Sequence, residues 1–177
     1  RAVQNHISEN PGGLTVALAE ENTRDAIFAA LRRRETYATS GPRMVVRFFG
    51  SYDFSTADIS RSPAAVGYAK GVPMGGDLKT AAAGKGPTLL IRAIRDVDGA
   101  NLDRIQVIKG WLDGAGKPQE KVYDVTWSGN RKPDANGKVP AVGSTVDVAS
   151  ATWTNSIGAP ELVDLELVAL GIQLSGA

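Results

Sequence analysis

The sequence contains no cysteine and a single histidine, His6, among its 177 residues. The first absence excludes disulfides, thiolate metal sites and cysteine nucleophiles. The second excludes a multi-histidine metal site and leaves one imidazole for acid–base work. Charge of one sign is also missing: 20 Lys and Arg stand against 19 Asp and Glu, a net +1. That balance argues against nucleic acid as a partner, since such partners are met by basic surfaces. No run approaches the roughly 20 apolar residues of a membrane helix. The first residues, Arg1-Ala2-Val3-Gln4-Asn5-His6, lack the charged-then-apolar layout of a signal peptide. Position 1 is not Met, so the missing signal does not place the protein in the cytoplasm, and a periplasmic or exported home stays open. Gly (20) and Pro (9) together make up about 16% of the chain, below the level of low-complexity sequence. The composition is that of a soluble, turn-rich globular chain.

A loop is expected over 8–13, where Asn-Pro and Gly-Gly punctuate the chain. The spacing then predicts one helix, over 22–34, with Asn22 as N-cap and Asp25 three residues on. Ile27, Phe28 and Leu31 share a face, with Ala30 beside them, and Arg32, Arg33 and Arg34 crowd the last turn. Beyond Pro42 the period becomes that of strands, over 44–49, 88–95, 102–111, 121–127 and 144–149. The last apolar run, 162–170, fits a strand or a helix. Turn pairs such as Asp98-Gly99, Asp113-Gly114 and Asn136-Gly137 separate the runs. Within 121–127, Tyr123, Val125 and Trp127 share one face and Asp124 and Thr126 the other. The segment 51–86 is polar and rich in Gly and Ala. It reads as a long excursion with at most a short hairpin around 72–78. The expected fold is mainly β with a short α segment: an antiparallel β-sandwich, immunoglobulin-like or jelly-roll-like, preceded by one amphipathic helix. The division is 1–43 for loop, helix and Ser-Gly-Pro junction, and 44–177 for the sandwich.

Two motifs carry candidate chemistry. Arg34 to Arg43 places Thr36, Thr39 and Ser40 hydroxyls and Tyr37 between two arginines, where a helix turns into a strand. Guanidinium groups suit carboxylate and phosphate, so Arg34, Glu35, Tyr37, Thr39, Ser40 and Arg43 are candidate substrate or anion contacts. The structural alternative is a tight turn tied by ion pairs. Glu20, Glu21 and Arg24 lie at the helix start, and Glu20 or Glu21 is expected to pair with Arg34 or Arg43. In the second motif, Asp96, Asp98, Asn101 and Asp103 bring four oxygen side chains close in sequence, as a calcium loop does, but without the bidentate Glu of an EF-hand; a plain Asp-Gly turn is the other reading. Gly114-Ala115-Gly116-Lys117 precedes Pro118 and no helix, which breaks the phosphate-loop pattern. No nucleophile elbow accompanies His6. Trp111, Trp127 and Trp153 fall in or beside strands, where aromatics are core or, less commonly, a stacking platform for a base or sugar.

The blocks Ala19-Glu20-Glu21-Asn22-Thr23-Arg24-Asp25-Ala26-Ile27-Phe28, Arg33 to Arg43 and Gly71-Val72-Pro73-Met74-Gly75-Gly76-Asp77-Leu78 are distinctive. Leu102 to Trp111, Glu120 to Val125 and Val142 to Asp147 continue the pattern, over about residues 11–161. They closely resemble a bacterial family known as domain of unknown function 3604. Full-length members are similar to the polymerase-and-histidinol-phosphatase metal hydrolases. The resemblance implies a divalent metal in an N-terminal hydrolase region that precedes this segment. It assigns no metal or cofactor to this chain, since Asn5-His6 does not match the ligand motif. It implies an accessory sandwich that is not itself catalytic, with the missing hydrolase domain or another copy of the chain as partner. A free-standing small-ligand or carbohydrate-binding module is the alternative. After Glu161 the sequence departs from the family pattern, which has a Trp and an Asp-Pro stretch there.

Overall fold

A computed structural model describes residues 12–79 and 86–166. His6, most of the 8–13 loop and the 167–170 end of the last apolar run lie outside the described residues. The architecture is mainly β with antiparallel sheets and two helices, in an open, sandwich-like arrangement. No helix among the described residues is long and apolar enough to cross a membrane.

The first unit is a strand–helix–strand. Strand β1 (Leu14–Ala17) and β2 (Thr36–Thr39) pair antiparallel, Leu14 opposite Thr39 and Ala17 opposite Thr36. Helix α1 (Arg24–Arg33) connects them. Its N-cap is Thr23 rather than the expected Asn22: the Thr23 hydroxyl accepts from the Ala26 N–H at 3.3 Å and donates to Glu21 at 3.0 Å. Thr23 is extended, as a cap must be, and Asn22 lies one residue too early to reach an orphan donor. Arg34 closes the helix in the left-handed region, with φ of 61°.

The central sheet runs β4 (Val72–Pro73), β3 (Val45–Ser51), β5 (Thr88–Ile94), β8 (Glu161–Glu166). Phe49 pairs with Leu90, and Leu90 with Leu165, so these three share a face. Phe54 and Val66 complete the cluster on that side. Leu89 and Ile91 point to the other face, against Phe48, Ile105, Val107, Tyr123 and Val125. The last four belong to a long hairpin, β6 (Arg104–Leu112) and β7 (Pro118–Trp127), whose strands pair only with each other among the described residues. β5 is therefore buried on both faces over residues 89–91, which explains that apolar run. Each fully buried Phe or Leu contributes about 1.5–3 kcal/mol.

Several expectations are corrected. The 51–86 excursion contains a second helix, α2 (Pro63–Lys70), preceded by a short 3₁₀ turn at Thr56–Asp58. Pro63 occupies the first turn, where its missing N–H costs nothing. Gly67 hides the helix from a propensity reading, yet a Cβ there would lie 2.4 Å from the Phe49 ring, so the glycine is what lets α2 approach the sheet. Tyr68 packs edge-on to Phe49, centroids 5.1 Å apart. Lys70 pairs with the buried Asp58 at 2.8 Å. The expected strand at 144–149 is absent; only an isolated bridge joins Asp147 to Thr152 there. The ambiguous final run is a strand over its described part, paired with β5.

A cleft with Glu35 and Arg47 as candidate functional site

The Arg34–Arg43 segment does not act as one cluster. Tyr37 donates its hydroxyl to the Met44 carbonyl at 2.7 Å and accepts from the Val46 N–H at 3.2 Å, which ties β2 to the start of β3. Thr39 accepts from the Gly41 N–H in its own turn. The Arg43 N–H donates to Asp96 at 2.5 Å. Ser40 is exposed. The expected pairs of Glu20 or Glu21 with Arg34 or Arg43 are replaced by others. The left-handed turn at Arg34 sends its guanidinium to Asp77, 3.1 Å away. Ten helical residues, about 15 Å, separate it from the acids at the helix start. Arg24 makes no ion pair with another described residue.

Glu35 is different, because it is buried, 3% exposed, directly after the helix. Arg33 Nε and Nη2 both donate to its Oε2, at 3.1 and 2.9 Å. Its backbone is also fixed: the Glu35 N–H donates to the Ala30 carbonyl, and its carbonyl accepts from the Leu18 N–H. Beside it stands Tyr68 of α2. Burial pushes the Tyr68 phenol above its usual pKa, the Glu35 carboxylate adds to the rise, and Arg47 opposes it. These residues wall a cleft of about 480 Å³, with Leu18, Ala19 and Pro73 as apolar lining and Glu20 at the rim. The loop after β4 seals against the helix end. A Cβ on Gly75, whose φ is +81°, would fall 2.2 Å from the Arg34 carbonyl oxygen.

The 96–103 loop is organised by an arginine. Arg95 Nη1 donates to the carbonyls of Asp96, Val97 and Gly99 at 2.8–2.9 Å, the inward-facing oxygens a cation would need. Asp96 also accepts from the Asp98 N–H, and these backbone donors hold its carboxyl below the usual range. The Asn101 amide donates to the Asn155 and Ile157 carbonyls. Asp103 faces Arg104 at 3.0 Å and Arg131. Among the described residues no group of three or more His, Cys, Asp or Glu is placed to hold a metal ion. In the cleft, Glu35 is committed to Arg33, so that donor set does not fit a divalent cation either.

Residue-level reading missed a polar network at the hairpin base. Arg104 joins Asp103 to Asp124, 3.2 Å away, and also donates to the Val139 carbonyl. Asp124 sits on the face opposite Tyr123, Val125 and Trp127, and its side chain there is 3% exposed. It accepts from the Val139 N–H at 2.7 Å and Gln106 at 2.6 Å. Burial works against the charges of Asp103 and Asp124, but the guanidinium and amide donors prevail and hold both carboxyls below the usual range. These groups lie on the hairpin face away from Ile105, Val107, Tyr123 and Val125, where the Val139 backbone bonds to both Asp124 and Arg104; a bulge interrupts the register at Ile105/Gln106. Of the tryptophans, Trp127 is half-buried and donates to the Arg131 carbonyl. Trp111 and Trp153 are 40% and 52% exposed, and Lys109 lies over the Trp111 ring.

These features define a mainly β, open-sandwich protein with a cleft between its strand–helix–strand unit and its central sheet. The chain belongs to the family described as protein of unknown function (DUF3604), whose sequence pattern matches residues 1–165. No curated protein and no solved structure matches it.

Proposed function

We propose that this chain is the β-sandwich accessory region of a metal-dependent hydrolase and works by docking on the catalytic region, not by carrying the chemistry. The observation that supports this most is the apolar face of α1. Ile27, Phe28 and Leu31 are 36%, 60% and 48% exposed, and only Ala30 of that helix is buried. A ten-residue helix is marginal in water without a packed face, and a contiguous exposed apolar patch marks an interaction site. The resemblance of this helix and its Gly-Pro turn to the end of a hydrolase domain names the occupant: the hydrolase region, with residues 1–43 as the junction and 44–177 as the sandwich. The test is phosphoester turnover by the purified chain with Mn²⁺ or Zn²⁺, together with the reading frame upstream of Arg1. The expected result is no turnover and an upstream segment with His and Asp ligand motifs. Turnover that co-purifies with the chain would overturn the reading.

A carbohydrate-binding module is the second reading. Its support is Trp153, half-exposed in a 220 Å³ groove with Asn101, Ser144, Thr145 and Asn155. Saturable quenching of tryptophan fluorescence by simple sugars, lost in Trp153→Ala, would favour it.

A further inference from the structure

The cleft holds one cation without a counter-ion. Arg47 sits in the middle of β3, half-buried, and makes no ion pair or side-chain hydrogen bond with another described residue. Its cross-strand partner is Arg92. Two like charges directly opposite each other destabilise a sheet. Arg92 is relieved by Glu161, whose Oε1 is 2.6 Å from its Nε. Arg47 has no such relief. The acids nearest to it are spoken for or peripheral: Glu35 is bound by Arg33, and Glu20 lies at the exposed rim. Tyr68 keeps its proton, so it adds no negative charge.

We infer that this cleft binds a small organic carboxylate, with the carboxylate on the Arg47 guanidinium and the apolar remainder against Leu18, Ala19 and Pro73. The volume, about 480 Å³, lies within the usual range of small-molecule sites. A planar carboxylate matches the fork of a guanidinium. Arg33 and Arg47 stand against Glu35 and the rim Glu20 in the lining, so a monoanion that reaches Arg47 meets less repulsion from Glu20 than a phosphate dianion does. The inference does not depend on how α1 docks, since none of the α1 face residues lines this cleft.

The probes are benzoate and propionate, with inorganic phosphate as the comparison, added to the full chain at constant ionic strength. Two readouts apply. The melting temperature of the wild-type chain and of Arg32→Gln, at the exposed helix end, rises by about 3–6 °C at ten times the Kd of the carboxylate. Arg47→Met binds at least about tenfold more weakly and melts higher than wild type without ligand, because the arginine pair is gone. Should Arg47→Met fail to fold, the Arg47 Nε–H resonance of the wild-type chain decides: it shifts saturably with benzoate while that of Arg32 stays still. An equal shift by phosphate, undiminished binding in Arg47→Met, or an unmoved Arg47 resonance would each overturn the assignment.

Discussion

Replacing Gly75 by alanine tests how the loop after β4 packs on the end of α1. Gly75 has a φ of +81°, and a Cβ there would lie 2.2 Å from the Arg34 carbonyl oxygen and 2.5 Å from its carbon. The left-handed backbone costs an L-residue about 1–2 kcal/mol. The close approach is to backbone, which cannot rotate away, and overpacking of this kind costs about 1–3 kcal/mol. The reduced freedom of the unfolded chain offsets about 0.4–1 kcal/mol. The net is a loss of about 3 kcal/mol, or roughly 6–12 °C in melting temperature for a chain of this size. Gly116 supplies the control. Its φ is +75° but a Cβ there meets nothing within 4 Å, so Gly116→Ala carries the backbone cost alone. Thermal unfolding followed by circular dichroism measures both. Equal, small effects at the two sites would refute the packing of the 72–77 loop on the end of α1.

Three further outcomes are expected. Arg104→Ala leaves the buried Asp124 with only the Val139 N–H and Gln106, and chemical denaturation should record a loss of about 2–3 kcal/mol. The carboxyls of Asp103 and Asp124 are depressed in the folded state. Their contribution is therefore present above the unfolded pKa near 3.8 and is lost as pH falls through the lower folded values, so melting temperature should fall below about pH 4 and less steeply in Asp124→Asn. Asp164 has the opposite sign: it lies opposite Ile91, its Oδ2 is buried without a hydrogen bond, and burial raises its pKa. Asp164→Asn should raise the melting temperature at pH 7, with the gain shrinking as pH falls through that raised value; a gain that is constant across pH would contradict the burial of this charge.

What could be read in the sequence was set by local signals. The strands of the sheet and hairpin carried alternation or an apolar run, and α1 its capping and 3.6-residue spacing. Helix α2 was illegible because Gly67 and Pro63 read as breakers, while their reason lies in a distant ring and in the first helical turn. The Arg34–Arg43 motif was visible as a charged turn, but only Glu35 of that motif enters the cleft. Arg47 and Tyr68 come from β3 and α2, whose approach depends on the ring of Phe49 against Gly67, a tertiary contact with no local signature. The period-2 rule placed Asp124 on the face opposite Tyr123, Val125 and Trp127 but did not reveal its burial, which comes from Arg104 and the sequence-distant Val139 backbone. The stripe on α1 had the opposite fate: its spacing was plain, and its exposure was not.

Hydrogen exchange read residue by residue on α1 tests the accessory-region account most directly. The comparison is between this chain alone and the complete product of its gene. Docking on a hydrolase region predicts slower exchange across residues 24–33 in the complete product, with the β6–β7 hairpin unchanged. Identical exchange of α1 in the two, with Phe28 and Leu31 still open to solvent, would contradict it.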